Sequence, residues 1–163
     1  MSRARQEIDL DSLLPFMLNK VVRVMNASLE QALQEHGLSV AEWRVLATLD
    51  CTPVDRPSGI SEFTGIELST LSRTFDRLEK QGFVKRIKLP ESGRAYAINL
   101  TKPGRRTLQA AATVMWEQHD RLLSQLNKNE AAALLRVVKS LYRAMGRPQE
   151  LRDNGTGKER ESA

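Results

Sequence analysis

Apolar residues recur every three or four positions through most of the chain, and every second position in one short stretch. That contrast predicts a mainly helical protein with a single β-hairpin. The central run is Leu68 to Gly82. Leu68, Leu71, Phe75 and Leu78 share one helical face there, while Ser69, Ser72, Arg73, Asp76 and Lys80 fall on others. Ahead of it, Ile60 to Gly65 predicts a short helix closed by glycine, and two helices joined at such a turn read as helix-turn-helix. Behind it, Phe83–Leu89 and Ala95–Leu100 read as strands, with Pro90-Glu91-Ser92-Gly93-Arg94 as the turn. A hairpin directly after a reading helix makes a winged helix.

Longer stripes flank this module. A first helix is expected from a cap at Asp9, Asp11 or Ser12 to about Glu35, with Pro15 in its first turn. Ser39-Val40-Ala41-Glu42 is a capping box that opens a helix to about Leu49, with Trp43, Val45, Leu46 and Leu49 in the core. Asp50 to Ser58 reads as a loop. Thr101-Lys102-Pro103-Gly104 starts a long helix toward Leu126, and Asn127 caps a last one to about Met145. The domain map is therefore a helical dimerisation region over 9–37 and 101–146, a winged helix-turn-helix lobe over 39–100, and a disordered, apolar-poor tail over 147–163. The flanking stripes exceed what a small module needs to cover. A second copy is expected to bury them, giving a two-fold dimer. Two reading helices about 34 Å apart then suit a pseudo-palindromic site on double-stranded DNA.

Charge sharpens this. The chain has 163 residues and a formal net charge of +5. Residues 58–106 hold ten Lys/Arg against five Asp/Glu, so this segment carries the whole excess, and the remaining residues balance at fifteen of each. A localised excess implies a polyanionic partner. Ser69, Thr70, Ser72 and Arg73 are the candidate base-reading residues, since short hydroxyls allow close approach and Arg grips guanine O6 and N7. Ser61, Lys85, Arg86 and Lys88 are candidates for the phosphate backbone. Arg77 and Arg94 complete the DNA set. No run is apolar and long enough for a membrane span or a signal peptide, and one cysteine makes no internal disulfide, so a cytoplasmic protein is expected.

Over roughly residues 10–146 the chain resembles the MarR family of dimeric winged-helix regulators. The resemblance rests on Gly37-Leu38-Ser39 with Trp43-Arg44-Val45-Leu46, on Ile60-Ser61-Glu62-Phe63, and on Ser69-Thr70-Leu71-Ser72-Arg73. It continues through Asp76-Arg77-Leu78-Glu79-Lys80-Gln81-Gly82-Phe83-Val84-Lys85-Arg86, Gly93-Arg94 and Leu100-Thr101-Lys102-Pro103-Gly104. It implies a homodimer intertwined through its end helices. It implies that the helix over Ser69–Gln81 enters the major groove, that Arg94 reaches the minor groove from the wing tip, and that Asp76 supports the wing by pairing with Arg94. The family often has an acid two residues before that arginine; Ser92 stands there here. The resemblance also implies a small aromatic carboxylate or phenol as effector, bound where the dimer helices meet the DNA lobe. Walls for it would be Met17, Val24, Trp43, Met115 and Trp116, with Arg23, Arg44 or His119 to hold an anion. The function expected is a transcriptional repressor released by such a ligand.

Other chemistries fare worse. His36, His119 and Cys51 cannot supply the three or four spaced ligands of a zinc site. Gly155-Thr156-Gly157-Lys158 lacks the full phosphate-loop pattern. No catalytic set appears, so neither an enzyme nor a cofactor is expected. Two alternatives stay open. One is a thiol-switched regulator using Cys51, which Asp50 disfavours because a neighbouring acid opposes thiolate. The other is a helical dimer whose basic wing binds an acidic protein.

Overall fold

The computed structural model describes residues 9–90 and 95–145. Its elements are α1 (Leu14–Gln34), α2 (Val40–Cys51), α3 (Pro57–Thr64), α4 (Leu68–Lys80), β1 (Val84–Lys88), β2 (Tyr96–Leu100), α5 (Lys102–Leu123) and α6 (Lys128–Ala144). The tail at 147–163 and the wing tip with Arg94 lie outside the described residues.

Local chemistry explains most boundaries. Ser39 Oγ accepts from the Glu42 amide while Glu42 accepts from the Ser39 amide, the reciprocal pair the sequence implies. Asn127 and Glu130 repeat the device at α6. Thr101 Oγ1 accepts from Gly104 N at 3.1 Å and starts α5. Two starts differ from expectation. Helix α1 begins at Leu14 with no side-chain cap; Asp9 is spent one turn earlier, where its carboxylate accepts from Asp11 N at 3.0 Å. Helix α3 begins at Pro57, inside the stretch read as loop, because proline suits a first turn whose N–H groups have no intrahelical partner.

One core holds the lobe together. Leu71, Phe75 and Leu78 of α4 are buried with Val45 and Leu46 of α2 and Ile60 of α3. Val84 and Ile98 join from the hairpin, Leu33 from α1, Leu108 and Ala111 from α5. Leu68 departs from its expected place: it is 51% exposed. As the first residue of α4, its Cβ leans past the helix end and away from the packed turns. Gly65, at φ 69°, makes the left-handed bend between α3 and α4. The strands pair antiparallel, Val84 opposite Leu100 and Arg86 opposite Ile98. Ile98 N donates to Asp55 O at 2.8 Å and ties the sheet to the α2–α3 loop.

The two end helices are covered unequally. Helix α1 packs on α5 and α2, yet along it Leu14, Phe16, Met17, Val21 and Val24 are exposed. Helix α6 buries none of its residues and exposes Leu134, Val137, Val138 and Leu141.

Two substitutions probe this packing. Phe75→Ala is expected to lower the unfolding free energy by about 3–5 kcal/mol in urea titration, since the ring is fully enclosed. In Gly104→Ala, the new Cβ overlaps the Phe83 carbonyl oxygen, and backbone yields less readily than side chain. A loss of about 1–3 kcal/mol is expected, by the same titration.

Candidate nucleic-acid interface and effector cavity

Helix α4 is divided lengthwise. Leu71, Thr74, Phe75 and Leu78 are buried, whereas Ser69, Thr70, Ser72 and Arg73 are all exposed. The buried side fixes where the exposed side sits. Thr74 keeps its hydroxyl inside the fold by donating to Thr70 O at 3.0 Å. The residues expected to read bases therefore share one solvent-facing strip near the N-terminal end of the helix.

The residues expected at phosphates divide. Lys85 and Lys88 of β1 are exposed. Ser61 Oγ donates to Ile66 O at 2.7 Å, so its hydroxyl braces the turn into α4. Arg86 faces the helix. Its Nη2 donates to Asp76 Oδ1 at 2.5 Å and its Nη1 to Glu79 Oε2 at 2.7 Å. Its backbone N donates to Glu79 Oε1 at 3.1 Å, and its guanidinium lies 5.4 Å from the centre of the Tyr96 ring. The hydrogen bond to Asp76, then the charge of Glu79, hold this guanidinium above its ordinary range. Asp76 thus serves Arg86; Arg94, its expected partner, lies outside the described residues.

Arg77 is also engaged. Its Nε stands 3.4 Å from Oε1 of Glu42, a residue only 5% exposed. Glu42 thereby caps α2 and tethers α4 at once. Asp50 pairs with Arg105 of α5. Cys51, the last residue of α2, is exposed.

A cavity of about 470 Å³ opens where α1, α2 and α5 converge. It gathers Val24, Trp43, Arg44, Met115 and His119 of the expected ligand residues. Met17, Arg23 and Trp116 are not in its lining; Trp116 is 65% exposed and meets the His119 ring edge-on at 5.7 Å. Leu29 and Leu122 add apolar wall, and Arg121 and Gln118 add polar groups that sequence reasoning did not name. Arg44 Nη2 donates to Asn26 Oδ1 at 3.0 Å, which holds the guanidinium at the rim of the cavity wall. Trp43 Nε1 is buried without a partner.

Sequence reasoning did not show that Glu79 holds Arg86, or that Glu42, besides its place in the capping box, meets Arg77. Asp76 and Glu79 stand three apart on α4 and so share a side, which was a readable hint of a shared cation. Which cation the hairpin returns to them was not readable.

Comparison with known proteins follows this geometry. A model of the MarR family matches residues 38–96. The chain is 23% identical over 129 residues to the multiple antibiotic resistance protein MarR of Escherichia coli, covering 76% of this chain and 90% of that protein. Among solved structures, a MarR family transcriptional regulator from Silicibacter pomeroyi aligns at a TM-score of 0.70 with 28% identity, over 88% of this chain and 97% of its own. A mutant MarR from Escherichia coli, complexed with operator DNA, aligns at 0.71 with 23% identity, over 82% and 98%.

Glu42→Ala removes the carboxylate half of the α2 capping box, leaving the Ser39 hydroxyl in place, together with the anchor of Arg77. It is expected to destabilise the protein by about 0.5–2 kcal/mol, read as a shift in urea midpoint at unchanged slope.

Proposed function

We propose, from the premise that this chain belongs to the MarR family of transcriptional regulators, that it works as a repressor: a homodimer that holds a pseudo-palindromic operator and is released by a small aromatic carboxylate or phenol. The observation that carries this reading is the two-sided α4, buried along Leu71, Phe75 and Leu78 and bare along Ser69, Thr70, Ser72 and Arg73. A helix so held offers its polar strip to a major groove at a fixed angle. Ser69, Thr70, Ser72 and Arg73 then read bases, and Lys85, Lys88 and Arg94 meet the backbone and wing-side groove. The Escherichia coli relative is itself complexed with operator DNA, which supports DNA as the partner.

The dimer follows from the uncovered apolar faces of α1 and α6. Each enclosed Leu or Val side chain contributes about 1.5–3 kcal/mol, and contiguous patches of this kind seldom remain open to water. A second copy related by two-fold symmetry covers both faces and fixes the spacing of the two reading helices.

The cavity supplies a route to release. Its floor on α2 belongs to the reading lobe, and its walls on α1 and α5 belong to the end helices. A ligand wedged there acts only if it binds one lobe arrangement better than the other. Val24, Leu29, Trp43, Met115 and Leu122 suit an aromatic ring, and Arg44 with Arg121 suits a carboxylate or phenolate.

Four measurements test this reading. Sedimentation of the purified protein is expected to give a dimer, and selection from random duplexes a two-fold symmetric site. Arg73→Ala is expected to cost about 1–3 kcal/mol of affinity and to relax preference at one base pair per half-site; equal loss on all sequences would remove the base-reading role. Benzoate and phenol are expected to release the operator from the parent protein and from Cys51→Ser, but not from Arg44→Ala; release by peroxide that Cys51→Ser abolishes would favour a thiol switch instead.

A further inference from the structure

Arg86 sits in the middle of β1 and has both terminal nitrogens of its guanidinium engaged by carboxylates. Nη1 goes to Glu79 at 2.7 Å, Nη2 to Asp76 at 2.5 Å, and the Tyr96 ring lies 5.4 Å away. Its main chain is held as well, through Glu79 Oε1. Asp76 and Glu79 belong to the reading helix, Arg86 to the first wing strand and Tyr96 to the second. One side chain thus ties both strands of the wing to α4. A phosphate contact needs an arginine fork turned outward with its donors available. Here two carboxylates already take the fork, and the side chain is only 30% exposed.

We infer that Arg86 is a positioning residue for DNA binding: it sets the angle of the wing on the recognition helix and makes no phosphate contact of its own. The inference rests on the DNA-binding reading above, and it separates from simple electrostatics by sign. Converting Asp76 and Glu79 to amides removes two negative charges from a DNA-facing module. General attraction to a polyanion predicts tighter binding from that change. Loss of the clamp predicts weaker binding, because the wing is no longer held where its cations meet the backbone. The fork also distinguishes arginine from lysine. Lysine keeps the charge but cannot serve two carboxylates and lie against a ring in one planar group.

The test uses the full-length protein and an operator duplex selected from a random-sequence library, titrated over a range of salt concentrations. Arg86→Lys and the double variant Asp76→Asn, Glu79→Gln are each expected to weaken binding by about tenfold, the scale of one charge-assisted hydrogen bond. The dependence of log affinity on log salt is expected to lose slope equally in Arg86→Lys and Arg86→Gln, because both displace the Lys88 contact. A direct phosphate contact by Arg86 would instead keep the slope in the Lys variant, which retains the charge, and reduce it only in the Gln variant, by about 0.9 per contact. Lys88→Ala provides a readout that mere instability would not move. It is expected to cost less affinity in the Arg86→Lys background than in the parent, since a displaced wing has already lost that contact. Circular dichroism melts identify any variant that fails to fold, and Arg86→Lys then carries the comparison as the mildest change. Near-parental affinity in Arg86→Lys, a slope reduced in Arg86→Gln but not in Arg86→Lys, additive Lys88 effects, or tighter binding by the double amide variant would each overturn the inference. Failure of the parent protein to bind any duplex would instead sink the DNA-binding reading itself.

Discussion

The structure depends on holding α4 by one side while leaving the other bare. Thirteen residues must enclose Leu71, Thr74, Phe75 and Leu78 and still present Ser69, Thr70, Ser72 and Arg73 to solvent. Everything around the helix serves that division. Helix α2 gives Val45 and Leu46, α3 gives Ile60, and the hairpin gives Val84 and Ile98. Hydrogen bonds to base edges tolerate little displacement, so a reading strip is useful only on a rigidly seated helix. In the proposed DNA-binding role, the apolar core therefore sets how that strip is presented, although none of it faces outward.

Charge in this lobe has two uses that a net count merges. The excess over residues 58–106 is real, but Arg86, Arg77 and Arg105 each meet an acid inside the fold. These arginines join elements: wing to α4, α4 to α2, and α5 to the end of α2. The exposed lysines of β1 and the exposed Arg73 carry the outward potential. A basic module can thus devote a good share of its guanidinium groups to geometry, since the planar fork suits a carboxylate as well as it suits a phosphate.

Helix α1 changes role along its length. Its last turns hold Leu33 in the lobe core with Leu29 packed against it, whereas its first turns expose Leu14, Phe16 and Met17. The cavity opens between these regimes, at Val24 to Leu29. A helix anchored in one body at one end and uncovered at the other is a lever between them. In the proposed role, a ligand lodged beside Val24 to Leu29 acts on the packing of α1 against α2 and α5, provided two arrangements differ in how they bind it.

Periodicity and capping chemistry fixed a large part of this protein in advance. The stripes at three- and four-residue steps specify the helices, the Ser39–Glu42 and Asn127–Glu130 boxes specify two starts, and the β-leaning runs over 83–89 and 95–100 specify the two strands, because these are local preferences written within a few residues. The same local reading also located the exposed strip on α4. It did not reveal what each side chain meets in the folded chain. Leu68 fits the apolar stripe yet overhangs the helix end; Ser61 offers a hydroxyl that the next turn consumes; Arg86 counts as a wing cation until the hairpin folds it against Asp76 and Glu79. The choice of five cavity residues out of eight depended likewise on how α1, α2 and α5 converge. Sequence determines what each side chain is able to offer and which face of its element it occupies. Only the tertiary arrangement decides who accepts the offer, because partners ten to ninety residues away come within 3 Å through packing that no local pattern encodes.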